Sequence, residues 1–261
     1  YGILDQPDGK LKRQEQPVPY MGGVVVYFAF ISPISLMFAF NQHLLGILFA
    51  SSILLLVGLF DDLKALTPGI KFLFQIVATY ILLKSGIVID LVLFPKWLDL
   101  TLSFFWILTV INAFNIIDIM DGLAASVGAL SALAIFVISL YSGDFLISIL
   151  ALSLAAALLA FLRFNWEPAR IYLGDAGSMV LGLILGSLAM MVSYTRFNRL
   201  AFLSGVFDLK VVDGAVNLVA RIYDVASRAF RRLQVGYAQG YAMGRVCGAA
   251  VLLAVFYLIE L

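Results

Sequence analysis

Residues 103–122 read Ser103-Phe-Phe-Trp-Ile-Leu-Thr-Val-Ile-Asn112-Ala-Phe-Asn115-Ile-Ile-Asp118-Ile-Met-Asp121-Gly122. A mostly apolar run meets four amides and carboxylates spaced by three, and at Gly122 a second apolar run opens that lasts to Tyr141. On a helix, that spacing makes a drifting polar stripe. Bracketed by Ile, Phe and Met, the stripe is costly to bury without a partner or a ligand. A polar seam against another helix meets the need, and so does a bound substrate. The flanking runs read as two membrane spans joined by a very short polar turn.

The rest of the chain has the same character. Of 261 residues, 63% are hydrophobic and 13% charged, and mean hydropathy is +1.04. Soluble domains run at roughly 45–50% apolar and about 25% charged. This excludes a water-soluble globular protein, a disordered tail and a nucleic-acid-binding protein. Seventeen basic against sixteen acidic residues leave a net charge of +1, so no global field draws a polyanion. One cysteine, Cys247, excludes an intrachain disulfide and a thiolate cluster, and one histidine, His43, excludes a multi-imidazole zinc site.

Backbone groups in lipid must bond internally, so the fold is expected to be an all-α polytopic bundle. Spans are placed near 24–40, 44–60, 70–84, 103–117, 122–141, 145–163, 176–194 and 241–259, about eight in all. Residues 86–99 look like an interfacial excursion or a short hairpin. No secretory apolar region precedes the first span, and the absence of Met at Tyr1 suggests numbering that starts inside a longer chain.

Lys10, Lys12 and Arg13 put the opening segment in the cytoplasm by the positive-inside bias. Alternation then makes 61–69, 118–121 and 164–175 cytoplasmic, so Asp61, Asp62, Asp118, Asp121, Glu167 and Asp175 fall at one membrane face. Any one of them suits a solvated loop end. Together they repel unless a cation lies among them, and hard oxygen ligands suit Mg²⁺ or Mn²⁺. Such a site at a membrane face points to phosphoryl chemistry on a lipid.

Three further features bear on that chemistry. Asp61-Asp62 ends an apolar helix, where one carboxylate can bind metal while the other acts as base. Gly174-Asp175-Ala-Gly-Ser178 opens a span, where small residues would let helix N-terminal N–H groups meet a phosphate, though such a sequence is also an ordinary turn. Lys71, one turn before Gln75, either holds a lipid phosphate or anchors its span at the headgroups. Arg163 and Arg170 suit diphosphate or topology equally well.

The sequence resembles the polyprenyl-phosphate N-acetylhexosamine-1-phosphate transferases. The matching stretches are Leu4-Asp-Gln-Pro-Asp8 with Pro17-Val-Pro-Tyr-Met-Gly-Gly23, then Gly58-Leu-Phe-Asp-Asp62, the Asn112–Gly122 run, and Phe164-Asn165-Trp-Glu-Pro-Ala-Arg-Ile-Tyr-Leu-Gly174-Asp-Ala-Gly-Ser178. The resemblance covers residues 1–204. It implies that a polyprenyl phosphate attacks the β-phosphate of a UDP-N-acetylhexosamine, releasing UMP and starting a cell-envelope polysaccharide at the bacterial inner membrane. By motif, Asp61 or Asp62 would deprotonate or position the lipid phosphate, and Asn115 and Asp175 would hold Mg²⁺. Asp118 and Asp121 would line the nucleotide-sugar site. Lys71 would meet the lipid phosphate, with Asn112, Asn165, Gly174 and Ser178 as further substrate contacts.

The chain departs from the family pattern in three ways. Ile119 stands where the family has Gly, the family's first span has no counterpart ahead of Tyr1, and no histidine follows His43 where the family has a His-rich late loop. From Arg196 onward, eight of the seventeen basic residues gather. Residues 213–235 read as a basic amphipathic helix on the membrane surface, ahead of a last span. Within 205–261, the stretches Phe207-Asp-Leu-Lys-Val-Val-Asp-Gly-Ala-Val-Asn217 and Arg231-Arg-Leu-Gln-Val-Gly-Tyr-Ala-Gln-Gly-Tyr-Ala242 are similar to the C-terminal end of the antiporter-like large subunit of respiratory complex I. A composite chain is therefore expected, with a non-catalytic component of a respiratory or proton-pumping assembly as the alternative function. Its oligomeric state is open.

Overall fold

The computed structural model describes residues 4–5, 18–36, 41–89 and 95–192. Seven helices carry almost all of these: α1 Gly22–Ile34, α2 Gln42–Leu63, α3 Pro68–Lys84, α4 Lys96–Ile117, α5 Leu123–Ser142, α6 Phe145–Asn165 and α7 Gly174–Val192. Two two-residue strands, β1 Leu4–Asp5 and β2 Val18–Pro19, pair antiparallel ahead of α1. The first seven expected spans coincide with the seven helices. The eighth, with the amphipathic stretch 213–235 and the whole of 205–261, lies outside the described residues.

Five helices, α2, α4, α5, α6 and α7, are long and apolar enough to cross a membrane. At 13 residues α1 is an apolar helix below that length, and α3 has 17. The helix ends carry conventional signals. Asn41 and Asp144 cap α2 and α6, accepting from the N–H groups of Leu44 at 2.8 Å and Ile147 at 3.1 Å. Pro68 opens α3 at a position where its missing N–H costs nothing.

One expectation needs correction. Lys96, Trp97 and Asp99 belong to the first turn of α4 and not to an interfacial excursion, because Pro95 sets the helix start seven residues early. The polar stripe leaves the helix at the expected end of the span. α4 stops at Ile117, Asp118 is its C-cap, and Asp121 lies in the turn before α5.

Consecutive helices run antiparallel. The N-terminal ends of α1, α3, α5 and α7 therefore share one end of the bundle with the C-terminal ends of α2, α4 and α6. α7 is the axis of the bundle; all its residues are buried except Asp175, Ala189 and Met191. Its neighbours approach to backbone distance, and small residues make that approach possible. A Cβ on Gly23 of α1 would lie 2.2 Å from the Gly177 nitrogen, and one on Gly58 of α2 2.4 Å from the Ala176 Cα. One on Gly182 would meet the Ile111 Cα of α4 at 2.7 Å. The segment ahead of α1 is tied to the one ahead of α7: Tyr172 N–H donates to the Pro19 carbonyl at 2.9 Å. Gly22 and Gly23 N–H in turn donate to the carbonyls of Tyr172 and Leu173 at 3.0 and 2.9 Å.

These contacts predict a graded response to added methyl groups. Gly23→Ala should destabilise the detergent-solubilised protein by about 1–3 kcal/mol through overpacking. Gly69→Ala, at a position in α3 with nothing within 4 Å of the new Cβ, should be neutral or slightly stabilising. Thermal unfolding of both variants checks this, and equal melting temperatures would refute the close approach at Gly23.

Candidate active site

The polar end of the bundle gathers Asp61 and Asp62 from α2, Lys71 from α3, Asn115 and Asp118 from α4, and Asp175 from α7. Asp62 reaches across to the start of α7. Its Oδ1 accepts the Asp175 N–H at 2.9 Å and its Oδ2 the Ala176 N–H at 3.2 Å. The Gly174 N–H is donated to Asp118. Three N–H groups at this helix start are thus taken by carboxylates from two other helices. In this structure the N–H groups of the terminus meet acids, so a phosphate would approach a helix start that is already capped. Gly174 has φ +73°, and a Cβ there would fall 2.7 Å from Asp62 Oδ2, so the glycine lets the carboxylate in close.

Lys71 bridges Asp61 and Asp175. Its Nζ lies 2.5 Å from Asp61 Oδ2 and forms a second, short ion pair with Asp175 Oδ2. Asp61 also accepts from the Leu66 N–H at 2.6 Å, and its carboxyl is within hydrogen-bond reach of Asp175. Lys71 thus faces the carboxylates. On the other side of Asp175, Asn115 Nδ2 donates to Oδ1 at 2.7 Å and to Ser178 Oγ at 3.1 Å. Ser178 is fully buried and orients Asn115. Burial, and after it the negative charges of Asp175 and Asp62, hold the Asp118 carboxyl well above the usual carboxylate range, against the lowering effect of the Gly174 N–H.

The four members of the stripe therefore part company. Asn115 and Asp118 enter the cluster. Asn112 pairs with Gln75 of α3, its Nδ2 donating to Oε1 at 2.8 Å and to the Leu108 carbonyl at 2.7 Å. Asp121 Oδ2 accepts the Ala169 N–H at 2.9 Å and so clips the loop between α6 and α7. Asn165 does similar work. It is 3% exposed, its Oδ1 accepts the Gly122 N–H at 3.1 Å, and its Nδ2 donates to the Ile171 carbonyl at 2.9 Å. These bonds engage both ends of the Asn165 amide in holding the ends of the loop together. Gln75 is the residue that motif reading left without a role; the available signal was an amide one turn from Lys71 on an otherwise apolar helix.

Among the described residues, no three His, Cys, Asp or Glu side chains are arranged to hold a metal ion by themselves. The donor set instead suits a hard divalent cation that draws most of its ligands from a substrate. The Asp175 carboxylate and the Asn115 amide oxygen could supply protein ligands to such an ion, with Asp61, Asp62 and Asp118 around them.

A family model described as glycosyl transferase family 4 matches residues 44–193, more than half of the chain and all of α3 to α7. The chain belongs to this family. Among curated relatives, it is 30% identical to a Bacillus subtilis protein named as a probable undecaprenyl-phosphate N-acetylglucosaminyl 1-phosphate transferase, over 74% of this chain and 56% of the relative. It is 32% identical to a decaprenyl-phosphate N-acetylglucosaminephosphotransferase of Mycolicibacterium smegmatis, over 66% of this chain and 49% of the relative. With a Clostridium perfringens phospho-N-acetylmuramoyl-pentapeptide-transferase it shares 31% identity over 85% of this chain and 76% of the relative. The chain spans about half the length of the first two. Ile119, the departure from the family pattern, is 80% exposed in the turn after α4. No non-glycine residue among those described has a positive φ, so this position does not require Gly.

The double acceptance by Asp62 generates a prediction. Asp62→Ala leaves two helix-start N–H groups orphaned and should cost about 1–3 kcal/mol. Asp62→Asn keeps one acceptor and should cost less. Chemical or thermal unfolding orders the two variants, and a neutral Asp62→Ala would show that the cap carries no weight.

Proposed function

We propose that the protein transfers a sugar 1-phosphate from a UDP-N-acetylhexosamine to a polyprenyl phosphate, releasing UMP and leaving a lipid diphosphate-sugar. The observation that carries this reading is the convergence of Lys71, Asn115 and the carboxylates of Asp61, Asp118 and Asp175 at the start of α7, in a chain of glycosyl transferase family 4. Relatives named for undecaprenyl- and decaprenyl-phosphate transfer support the lipid acceptor.

The residues divide the work by their contacts. Asp175 and Asn115 would hold Mg²⁺, with Mn²⁺ as a substitute. When bound, the cation neutralises the diphosphate and so favours in-line displacement. Lys71, on the lipid-facing helix α3, would draw the lipid phosphate in beside Asp61, which accepts or orients its proton. Asp62 keeps Asp175 in place through the backbone and acts as a positioning residue. Asp118 and Asp121 border the nucleotide-sugar side, Asp121 by holding the 166–170 loop.

The same reading places the cluster at the cytoplasmic face of a bacterial inner membrane, where nucleotide sugars are available. It keeps 1–204 as the transferase unit and gives 213–235 to the membrane surface, within a chain of about eight spans. A proton-pumping component would need ionisable groups at mid-membrane. The described ones instead lie near helix ends, and Lys84, at the far end of α3, sits over the Tyr80 ring at 5.6 Å.

The test is UMP release by purified protein in detergent, given polyprenyl phosphate and UDP-N-acetylglucosamine with Mg²⁺ or EDTA. EDTA-sensitive release is expected, and Asp175→Asn should lower it by about a hundredfold or more. A wild-type rate in EDTA or in Asp175→Asn would overturn the metal assignment. No release with any UDP-N-acetylhexosamine would overturn the transferase reading.

A further inference from the structure

We propose that Gln75 is a positioning residue for the transfer. Through a reciprocal amide pair with Asn112, it holds Lys71 and Asn115 in register on either side of Asp175. The inference rests on the transferase reading and extends it below the reacting layer.

Asn112 Nδ2 donates to Gln75 Oε1 at 2.8 Å, and Gln75 Nε2 points back at Asn112 Oδ1 at 3.5 Å and at Met179 Sδ of α7 at 3.7 Å. Gln75 is 3% exposed, so it makes these contacts away from solvent. Lys71 and Gln75 are one turn apart on the same face of α3, as Asn112 and Asn115 are on α4. Two polar layers are thus stacked one turn apart. The upper layer is Lys71–Asp175–Asn115, and the lower is Gln75–Asn112 beside Met179, itself one turn after Asp175.

The lower layer matters because α3 buries only a narrow face and its polar contacts add to that packing. Its buried residues are Gln75, Ala78, Thr79 and Leu82, while Ile70, Phe72, Leu73, Phe74, Val77 and Tyr80 are exposed. Lipid does not press helices together as water does, so polar contacts and close packing set their positions. Lys71 precedes every buried residue of α3, and the first of these is Gln75. A two-point amide contact fixes both the rotation and the height of the helix, and with them the place of the Lys71 ammonium. It also commits Asn112, expected from sequence to touch substrate, to Gln75 and to the Leu108 carbonyl.

The experiment measures kcat and KM for UMP release, together with thermal unfolding, in wild type and three variants: Gln75→Met, the double Gln75→Leu with Asn112→Leu, and the swap Gln75→Asn with Asn112→Gln. Gln75→Met preserves volume and leaves Asn112 its bond to Leu108, so it is the variant best able to fold. Displacing a reacting group by about 1 Å costs on the order of a hundredfold. Gln75→Met and the double variant should therefore lose about tenfold to a hundredfold in kcat, with KM for the UDP-sugar within about twofold of wild type. The swap, which restores an amide pair, should recover most of that loss. Full kcat in Gln75→Met, a loss confined to KM, or a swap no faster than the double variant would each overturn the proposal. An active wild type with a fully active Gln75→Met overturns this inference alone, whereas an inactive wild type overturns the transferase reading and this inference with it.

Discussion

The Asp62 carboxylate, accepting the first N–H groups of α7, is the contact on which the rest of the structure depends. A helix buried on every side cannot leave its starting N–H groups to water, and their desolvation has to be met by protein acceptors. Asp62 and Asp118 supply them from two other helices. That choice fixes where α7 begins and puts Asp175, its second residue, in the middle of the cluster. The glycine contacts at Gly23, Gly58 and Gly182 then follow, because α7 can reach this position only if its neighbours lack side chains where they cross it.

The cap has an electrostatic cost. Four carboxylates converge where one ammonium, Lys71, is available, and the Asp118 carboxyl responds by holding its proton more tightly than usual. Like charges at this spacing are sustained by hydrogen bonds from backbone N–H groups and from Asn115. The same donors that stabilise the carboxylates also aim them, so folding and site geometry are set by one network of bonds.

Much of this was legible in the sequence. The seven helices could be read from hydropathy alone, since a bilayer admits few other structures, and the acids could be assigned to one end by counting alternations. Proximity of Asp61, Asp118 and Asp175 followed from that count. What could not be read was the bonding within the end. Asp61 and Asp62 are neighbours with the same chemistry, and only the crossing of α2 over α7 assigns one to Lys71 and the other to the helix cap. Asn112, Asn115, Asp118 and Asp121 share a spacing, but the helix stops beneath them at Ile117 and sends each to a different partner. Asn165 belongs to a motif that suggests substrate, yet both ends of its amide close the loop it starts. The start of α4 was misplaced because Lys96 and Asp99 look like loop residues until Pro95 is recognised as the point where the helix begins.

The apolar residues beside the cluster have a consequence of their own. Phe60, Phe72 and Ile116, each next in sequence to a cluster residue, are exposed at the bundle's surface. A molecule with a charged head and a long hydrocarbon tail meets both of its preferred surroundings there within one helical turn. On the proposed function, its head would react among carboxylates and an ammonium while its tail stayed dissolved in the hydrocarbon of the bilayer. Entry would then be a sideways drift within one leaflet, with no extraction step to slow it.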